Sequence, residues 1–182
     1  LPVNLKVKKI IRDKELKLFN NEVKKNLNSN TDIIITSGAV SAGKFDFIPS
    51  IIKNYKLISI FKDVKIRPGK PIMFAKFQNN TCFFGLPGNP ISTAACFRFF
   101  VLPLLFKSLG LEPEKPIIAK LKNNFSKKKD FTRFIKGRII FSQKGFVEFE
   151  VFKGQESYKI KPFTKSNAWG VFKDGISKFK KN

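Results

Sequence analysis

Three short loops in the first half of the chain carry residue types suited to anions. In Ser37-Gly38-Ala39-Val40-Ser41-Ala42-Gly43, small side chains follow the β-branched run Asp32 to Thr36. Such a loop lets backbone amides converge on a phosphate, although a tight strand-to-helix turn would use the same residues. Asp46, just beyond it, either holds a magnesium ion against phosphate charge or caps the helix it precedes. Arg67-Pro68-Gly69-Lys70-Pro71 presents two cations on a backbone stiffened by proline. That suits a tetrahedral oxyanion, because little conformational entropy remains to be lost on binding; the plain alternative is a hairpin connection with solvated charges. Gly85-Leu86-Pro87-Gly88-Asn89-Pro90-Ile91-Ser92 leads from a strand into a helix. Unpaired amides and the helix dipole at such a start favour negative charge, Pro90 suits the first helical position, and Ser92 could hydrogen-bond a phosphate. A simply capped helix start is the competing reading.

Composition narrows the chemistry. The 182 residues contain no histidine, which removes histidine bases, Ser-His-Asp triads and histidine metal sites. Catalysis must come from Asp, Glu, Lys, Arg, Ser or backbone amides. Cys82 and Cys96 are too far apart for a C-x-x-C motif and sit in apolar runs, as buried free thiols in a reducing cytosol would. The net charge of +23 would attract nucleic acid, anionic membrane or small anions. It is carried mostly by lysines scattered among Asn, Ile and Phe, a pattern that A/T-rich codon usage also produces. The most apolar stretch, Phe83 to Phe106, is interrupted by Pro87, Pro90, Arg98 and Pro103, so neither a membrane span nor a cleavable signal is expected, and the location expected is cytoplasmic.

The elements that must position these loops follow the α/β pattern. Val3, Leu5 and Val7 suggest a short strand. Asp13 is placed to cap a helix in which Leu16, Phe19, Val23 and Leu27 recur at helical spacing. Asp32 to Thr36 reads as a strand buried on both faces, central and parallel in its sheet. A helix through Ile48, Ile51 and Ile52 follows, then extended segments at Leu57 to Ile66, Ile72 to Phe77 and Thr81 to Phe84, the last two joined by an Asn79-Asn80 turn. An apolar helix runs from Pro90 to about Leu109. Gly110 and Pro113 to Pro116 form a linker, beyond which Phe131 to Phe141, Phe146 to Phe152 and Trp169 to Phe172 read as strands of a small β domain. The run Lys127 to Lys129 reads as a solvated loop with an anion-binding alternative.

The ordered set T-S-G-A-V-S-A-G-x-x-D, R-P-G-K-P and G-L-P-G-N-P-I-S resembles the third domain of the molybdopterin molybdenumtransferases of the MoeA/gephyrin type. The similarity covers Leu1 to about Leu109; the later segment, with Asp130-Phe131-Thr132-Arg133 and a degenerate Gln155-Glu156-Ser157, is similar in length and position to that family's small fourth domain. The resemblance implies an α/β fold class. Residues 1–110 would be a partial three-layer, MogA-like molybdopterin-binding domain whose N-terminal part is missing, and residues 111–182 a small β-barrel-like domain. It implies insertion of molybdate into adenylylated molybdopterin with release of AMP, dependent on Mg2+. It also implies a homodimer, supplied by a molybdopterin adenylyltransferase partner, with pterin and molybdate as its small-molecule ligands and no specific nucleic acid or membrane. Asp13, Asp46 and Lys70 would be catalytic, the two aspartates through metal and pyrophosphate. Ser41 and Ser92 would lie beside the nucleotide phosphates, with Ser37, Gly38, Gly43, Pro87, Gly88, Asn89 and Pro90 lining the substrate. Arg67, Lys70 and Arg133 would bind molybdate or the pterin phosphate.

There are departures from the family pattern. Ala39 stands where a second glycine is usual, Asp63 stands where a basic residue often precedes Arg67, and Lys161-Pro162 replaces serines near the end. Two other readings compete. A stand-alone molybdopterin adenylyltransferase shares the domain fold, but its loop after the buried strand reads T-G-G-T-G, and the extra β domain argues against it. A gephyrin-like scaffold would leave the enzyme-type loops unexplained. Nonspecific nucleic-acid binding would need basic residues on one face with aromatic platforms, whereas the phenylalanines here follow core patterns. If the basic excess reflects codon usage, duplex DNA should bind weakly, without sequence preference, and be released at moderate salt. A fluorescence-anisotropy salt titration checks this, and tight binding that survives salt would contradict it.

Overall fold

The computed structural model describes residues 3–5, 9–12, 15–38, 40, 47–143 and 145–181. Its first half is a four-stranded sheet in the order β1 (Ile33–Ser37), β5 (Cys82–Leu86), β4 (Met73–Phe77), β2 (Leu57–Lys62). β1 runs parallel to β5, with Ser37 opposite Leu86, whereas β4 is antiparallel to both β5 and β2. The alternation along β4 explains the layers. Met73, Ala75 and Phe77 point to one face and pack with Phe19 and Val23 of α1 (Leu16–Leu27) and Ile51 of α2 (Ile48–Asn54). Phe74, Phe84 and Leu86 point to the other face, against Ala95 and Cys96 of α3 (Pro90–Cys96). Helices on both faces of one sheet give the three-layer α/β arrangement.

Several expectations need correction. β1 is an edge strand among the described residues, with Ile35 and Ser37 exposed, so it is neither central nor buried on both faces. The β-branched run signals a strand, but burial depends on what covers it. Residues 3–5 form no strand, and Val3 and Leu5 are exposed. Glu15, not Asp13, occupies the N-cap of α1, and its carboxylate accepts the Arg12 amide at 2.8 Å instead of capping the helix. Asp13 itself lies outside the described residues. Cys82 is half-buried, and only Cys96 is fully enclosed.

The prolines do not break the apolar helix. Pro90 starts α3, and Pro103 sits in the first turn of α4 (Leu102–Ser108), preceded by a π-helical turn, Phe97–Val101. Pro103 has no N–H and its ring would crowd the carbonyl four residues back; widening the preceding turn, with Leu102 N–H donating to Phe97 O, relieves both problems. The resulting helix, Pro90–Ser108, is long and apolar enough to cross a membrane by length and composition alone. Its Cys96 and Val101 are buried in the core, and Phe99 stacks on Phe134 with ring centroids 3.9 Å apart.

The second half builds a five-stranded sheet. β10 (Ala168–Phe172), β8 (Thr132–Phe141), β9 (Val147–Val151) and β6 (Lys120–Leu121) are neighbours, and β3 (Ile66–Arg67) from the first half pairs with β8 in parallel. A small ribbon joins β7 (Phe125–Ser126) to β11 (Lys178–Phe179), and α5 (Lys161–Thr164) lies near β8. Ile135, Phe149 and Phe172 form this half's own core, while Phe134, on the opposite face of β8, joins the core of the first half with Ile66, Val101 and Phe99. Phe134→Ala should therefore cost about 3–5 kcal/mol. Phe141, 79% exposed on the same strand, should cost under about 0.5 kcal/mol when truncated. Urea denaturation of both variants tests the contrast, and equal effects would contradict this view of the core.

Candidate oxyanion-binding site

Strand direction brings the three loops to one end of the first sheet. Ser37 ends β1 and Leu86 ends β5, opposite one another, and Met73, which opens β4, pairs with Gly85. The loops after β1 and β5 and the loop before β4 therefore leave from the same edge, where ligands bind in open α/β sheets.

The first and third loops touch. Gly38 N–H donates to Leu86 O at 3.0 Å, and the Ser37 hydroxyl donates to Pro87 O at 3.3 Å and lies 3.5 Å from Thr93 Oγ1. Gly38 has φ +91°, and a Cβ on Gly88 would come within 3.2 Å of the Gly38 Cα. Gly38 and Gly88 are thus packed backbone to backbone. Thr93, which the sequence reading did not single out, donates to Pro87 O and to Asn89 O and ties the loop to the helix.

The start of α3 is not a free set of amides. The Asn89 side-chain oxygen accepts from Ile91 N at 3.1 Å and Ser92 N at 3.3 Å, Thr93 N donates to Asn89 O, and Pro90 has no donor. The expectation of unpaired amides there is overturned, because an asparagine N-cap supplies their acceptors. Ser92 is buried, with its backbone close to Gly69, while Pro87 is buried and Gly88 and Pro90 are exposed. Ser41, Gly43 and Asp46 lie outside the described residues, as Asp13 does. Among the described residues, no three His, Cys, Asp or Glu come together as metal ligands would.

The loop between β3 and β4 is fastened to α3. Gly69, at φ +109°, lies so close to Cys96 that a Cβ would stand 2.5 Å from the sulfur, and the thiol donates to Gly69 O at 3.6 Å. Burial pushes the Cys96 pKa up to about 12, so this thiol is a neutral donor, not a nucleophile. Lys70 is exposed at the loop tip, and its backbone carbonyl accepts from Val64 N.

β3 then places Arg67 directly beside Arg133 in the parallel register of β8, so residues from both halves of the chain meet. Arg133 is half-buried, and its pKa is lowered first by burial and then by the charge of Arg67, with Asp130 opposing. Its Nε is buried and, among the described residues, has no hydrogen-bond partner. A buried donor left in this state is costly, and an anion would satisfy it. Arg67 lays its guanidinium over the Phe131 ring, 4.5 Å from the centroid.

Lys136, which sequence reasoning missed, is 1% exposed. Its Nζ donates to the carbonyls of Glu156 (3.0 Å) and Lys159 (3.1 Å), and its backbone exchanges hydrogen bonds with the Gln155 side chain. Gln155 and Lys136 thus clamp the degenerate Gln155-Glu156-Ser157 segment onto β8. A lysine in a β run carries no signal of this sort, since its partners are carbonyls more than fifteen residues away.

A family model described as a probable molybdopterin binding domain matches residues 1–107. This chain belongs to that molybdopterin-binding family. A molybdopterin molybdenumtransferase of Haemophilus influenzae is 34% identical over 148 residues, 79% of this chain and 36% of that protein. One of Staphylococcus epidermidis is 36% identical over 126 residues, 68% of this chain and 30% of its own length. The chain therefore spans about a third of the curated relatives it matches. A molybdenum cofactor biosynthesis protein from Pyrococcus furiosus matches in fold, with TM-score 0.66 at 19% identity, over 92% of this chain and 51% of that one.

Lys136 allows a test of the geometry in this half of the family member. Burial lowers its pKa, with Glu156 opposing and Lys159 reinforcing. Between that lowered value and the ordinary lysine value of about 10.4, the unfolded chain holds the proton and the folded chain does not. Stability from this group therefore rises with pH in that window and is smaller below it. The stability difference between wild type and Lys136→Met should grow from pH 8 to pH 10 in chemical denaturation. A difference that stays flat would show that Lys136 is not desolvated.

Proposed function

We propose that the chain acts within a molybdopterin molybdenumtransferase, inserting molybdate into adenylylated molybdopterin with release of AMP in molybdenum cofactor biosynthesis. The observation that carries this reading is the Arg67–Arg133 pair, two guanidinium groups in register with one buried donor unpartnered. A tetrahedral dianion cancels the repulsion between them and accepts from the orphaned Nε. Lys70, on a loop anchored through Gly69 to Cys96, adds a third positive charge. Ser37, Gly38 and Gly88, held together where β1 and β5 end, supply a surface on which a phosphate can approach the backbone closely.

The names of the relatives and the family membership support the substrate classes and the transferase chemistry. The division of labour we infer gives residues 1–110 the pterin nucleotide and residues 111–182 one wall of the oxyanion site through Arg133. Family likeness alone supports a cytoplasmic homodimer supplied by molybdopterin adenylyltransferase. Magnesium, when bound, would neutralise the pyrophosphate, with Asp13 and Asp46 as the ligands of this reading. The described residues contribute no carboxylate cluster to it and act by binding and orienting the two anions.

AMP release from adenylylated molybdopterin, measured while molybdate is titrated, tests the assignment. Lys70→Ala and Arg133→Ala should each raise the molybdate concentration required by roughly thirtyfold, since a lost charge-assisted contact costs on the order of 2 kcal/mol. Asp46→Asn should keep the fold and slow release at saturating magnesium. Unchanged molybdate dependence in both cation variants would remove the oxyanion site from these residues.

A further inference from the structure

Arg67 and Arg133 sit side by side with like charge, and nothing in strand pairing alone keeps the exposed Arg67 side chain near its neighbour. Repulsion favours splaying it into solvent. The Phe131 ring offers the competing attraction, because a guanidinium 4.5 Å from the centroid gains from both the ring quadrupole and planar stacking. Stacking engages the face of the guanidinium and leaves its N–H edge free to donate. The Phe131 backbone is held at its own carbonyl and through its neighbour Thr132. Lys127 Nζ donates to Phe131 O at 2.9 Å, Thr132 N donates to Lys65 O at 3.1 Å, and the Thr132 hydroxyl is paired with Asp174 through its side chain (3.3 Å) and its amide (3.2 Å). The first lysine of the Lys127 to Lys129 run therefore anchors this platform instead of standing free in solvent.

We propose that Phe131 is a positioning residue that holds Arg67 preorganised beside Arg133, so that the pair closes on a tetrahedral dianionic oxyanion without first paying to bring the cations together. This rests on the reading of Arg67 and Arg133 as an oxyanion site. Its consequence is specific: the contribution of Phe131 runs through the Arg67 charge and through aromaticity, not through local packing.

The test is calorimetric binding of sodium molybdate, with tungstate as a second probe, to the full chain. Phe131→Leu and the volume-conserving Phe131→Met should each weaken binding about fivefold, while Phe131→Tyr stays within about twofold of wild type. In an Arg67→Met background, which binds more weakly itself, Phe131→Leu should make no further difference. A packing role would weaken binding in both backgrounds and would overturn the proposal, as would wild-type affinity in both Phe131→Leu and Phe131→Met. If those variants bind normally while Arg133→Ala does not bind, the positioning role fails and the oxyanion site stands. Unchanged binding in Arg67→Met and Arg133→Ala would instead bring down the site, and the positioning role with it. Thermal unfolding of each variant identifies any that fail to fold, and Phe131→Met then carries the comparison in place of Phe131→Leu.

Discussion

Holding two guanidinium groups in register on adjacent strands opposes Coulomb repulsion that a looser scaffold would relieve by letting them part. Here the neighbours of each arginine are fixed by apolar burial. Ile66, which precedes Arg67, and Phe134, which follows Arg133, are both enclosed in one core with Val101, Leu86 and Ile72. Two residues of β3 would be a negligible strand alone. They persist because Ile66 is buried on one side while the backbone bonds β8 on the other. Hydrophobic burial of a few residues thus sets the spacing of the cations, and the electrostatic cost at the site is borne by the core beneath it.

The same logic runs through the loops, where absence of a side chain matters as much as its presence. Gly69 leaves room for the Cys96 sulfur, and Gly88 leaves room for the Gly38 backbone. Each contact joins a loop to a neighbouring element: α3 in one case, the end of β1 in the other. A buried thiol with its pKa raised to about 12 suits the first junction because it can donate weakly to Gly69 O without carrying charge into an apolar core.

How much of this was legible in the sequence depended on the range over which each signal acts. Local signals read well: the alternation of Met73 to Phe77, the helical spacing of Phe19 and Val23, and the Asn79-Asn80 turn, where Asn80 takes φ +67°. The R-P-G-K-P and G-L-P-G-N-P loops were visible as clusters of backbone-shaping residues. What failed was whatever depended on a distant partner. The burial of β1 was overestimated because β-branching does not reveal which edge is covered. The Asn89 cap was seen only as an alternative, because free and capped helix starts use the same residues. Residue pattern alone does not announce the register of Arg67 with Arg133, more than sixty residues apart; the family resemblance put both on one ligand without giving the strand pairing. The helix expected from Pro90 to about Leu109 runs through Pro103, but the π turn that absorbs the proline was not visible in the sequence.

Charge illustrates why residue type is a poor guide to role in this protein. Thirty-six lysines and arginines supply the excess, and most of them project into solvent, where surface ion pairs such as Lys159–Glu156 contribute little. Three others differ by environment alone. Lys136 is buried and bonded to two carbonyls, Lys127 donates to the carbonyl of Phe131, and Arg133 has a buried donor without an acceptor among the described residues. The first two are satisfied within the chain and so act on its structure. Arg133 is not, so among these three cations its hydrogen-bonding demand alone points outward, toward something the chain does not itself supply. A scattered +23 charge can draw anions of any kind toward the surface, but it cannot choose between them. In the proposed site, selection would fall to the half-buried Arg133, with Arg67 beside it, because a partly desolvated cation with an orphaned donor rewards an acceptor placed to meet it far more than a solvated lysine can.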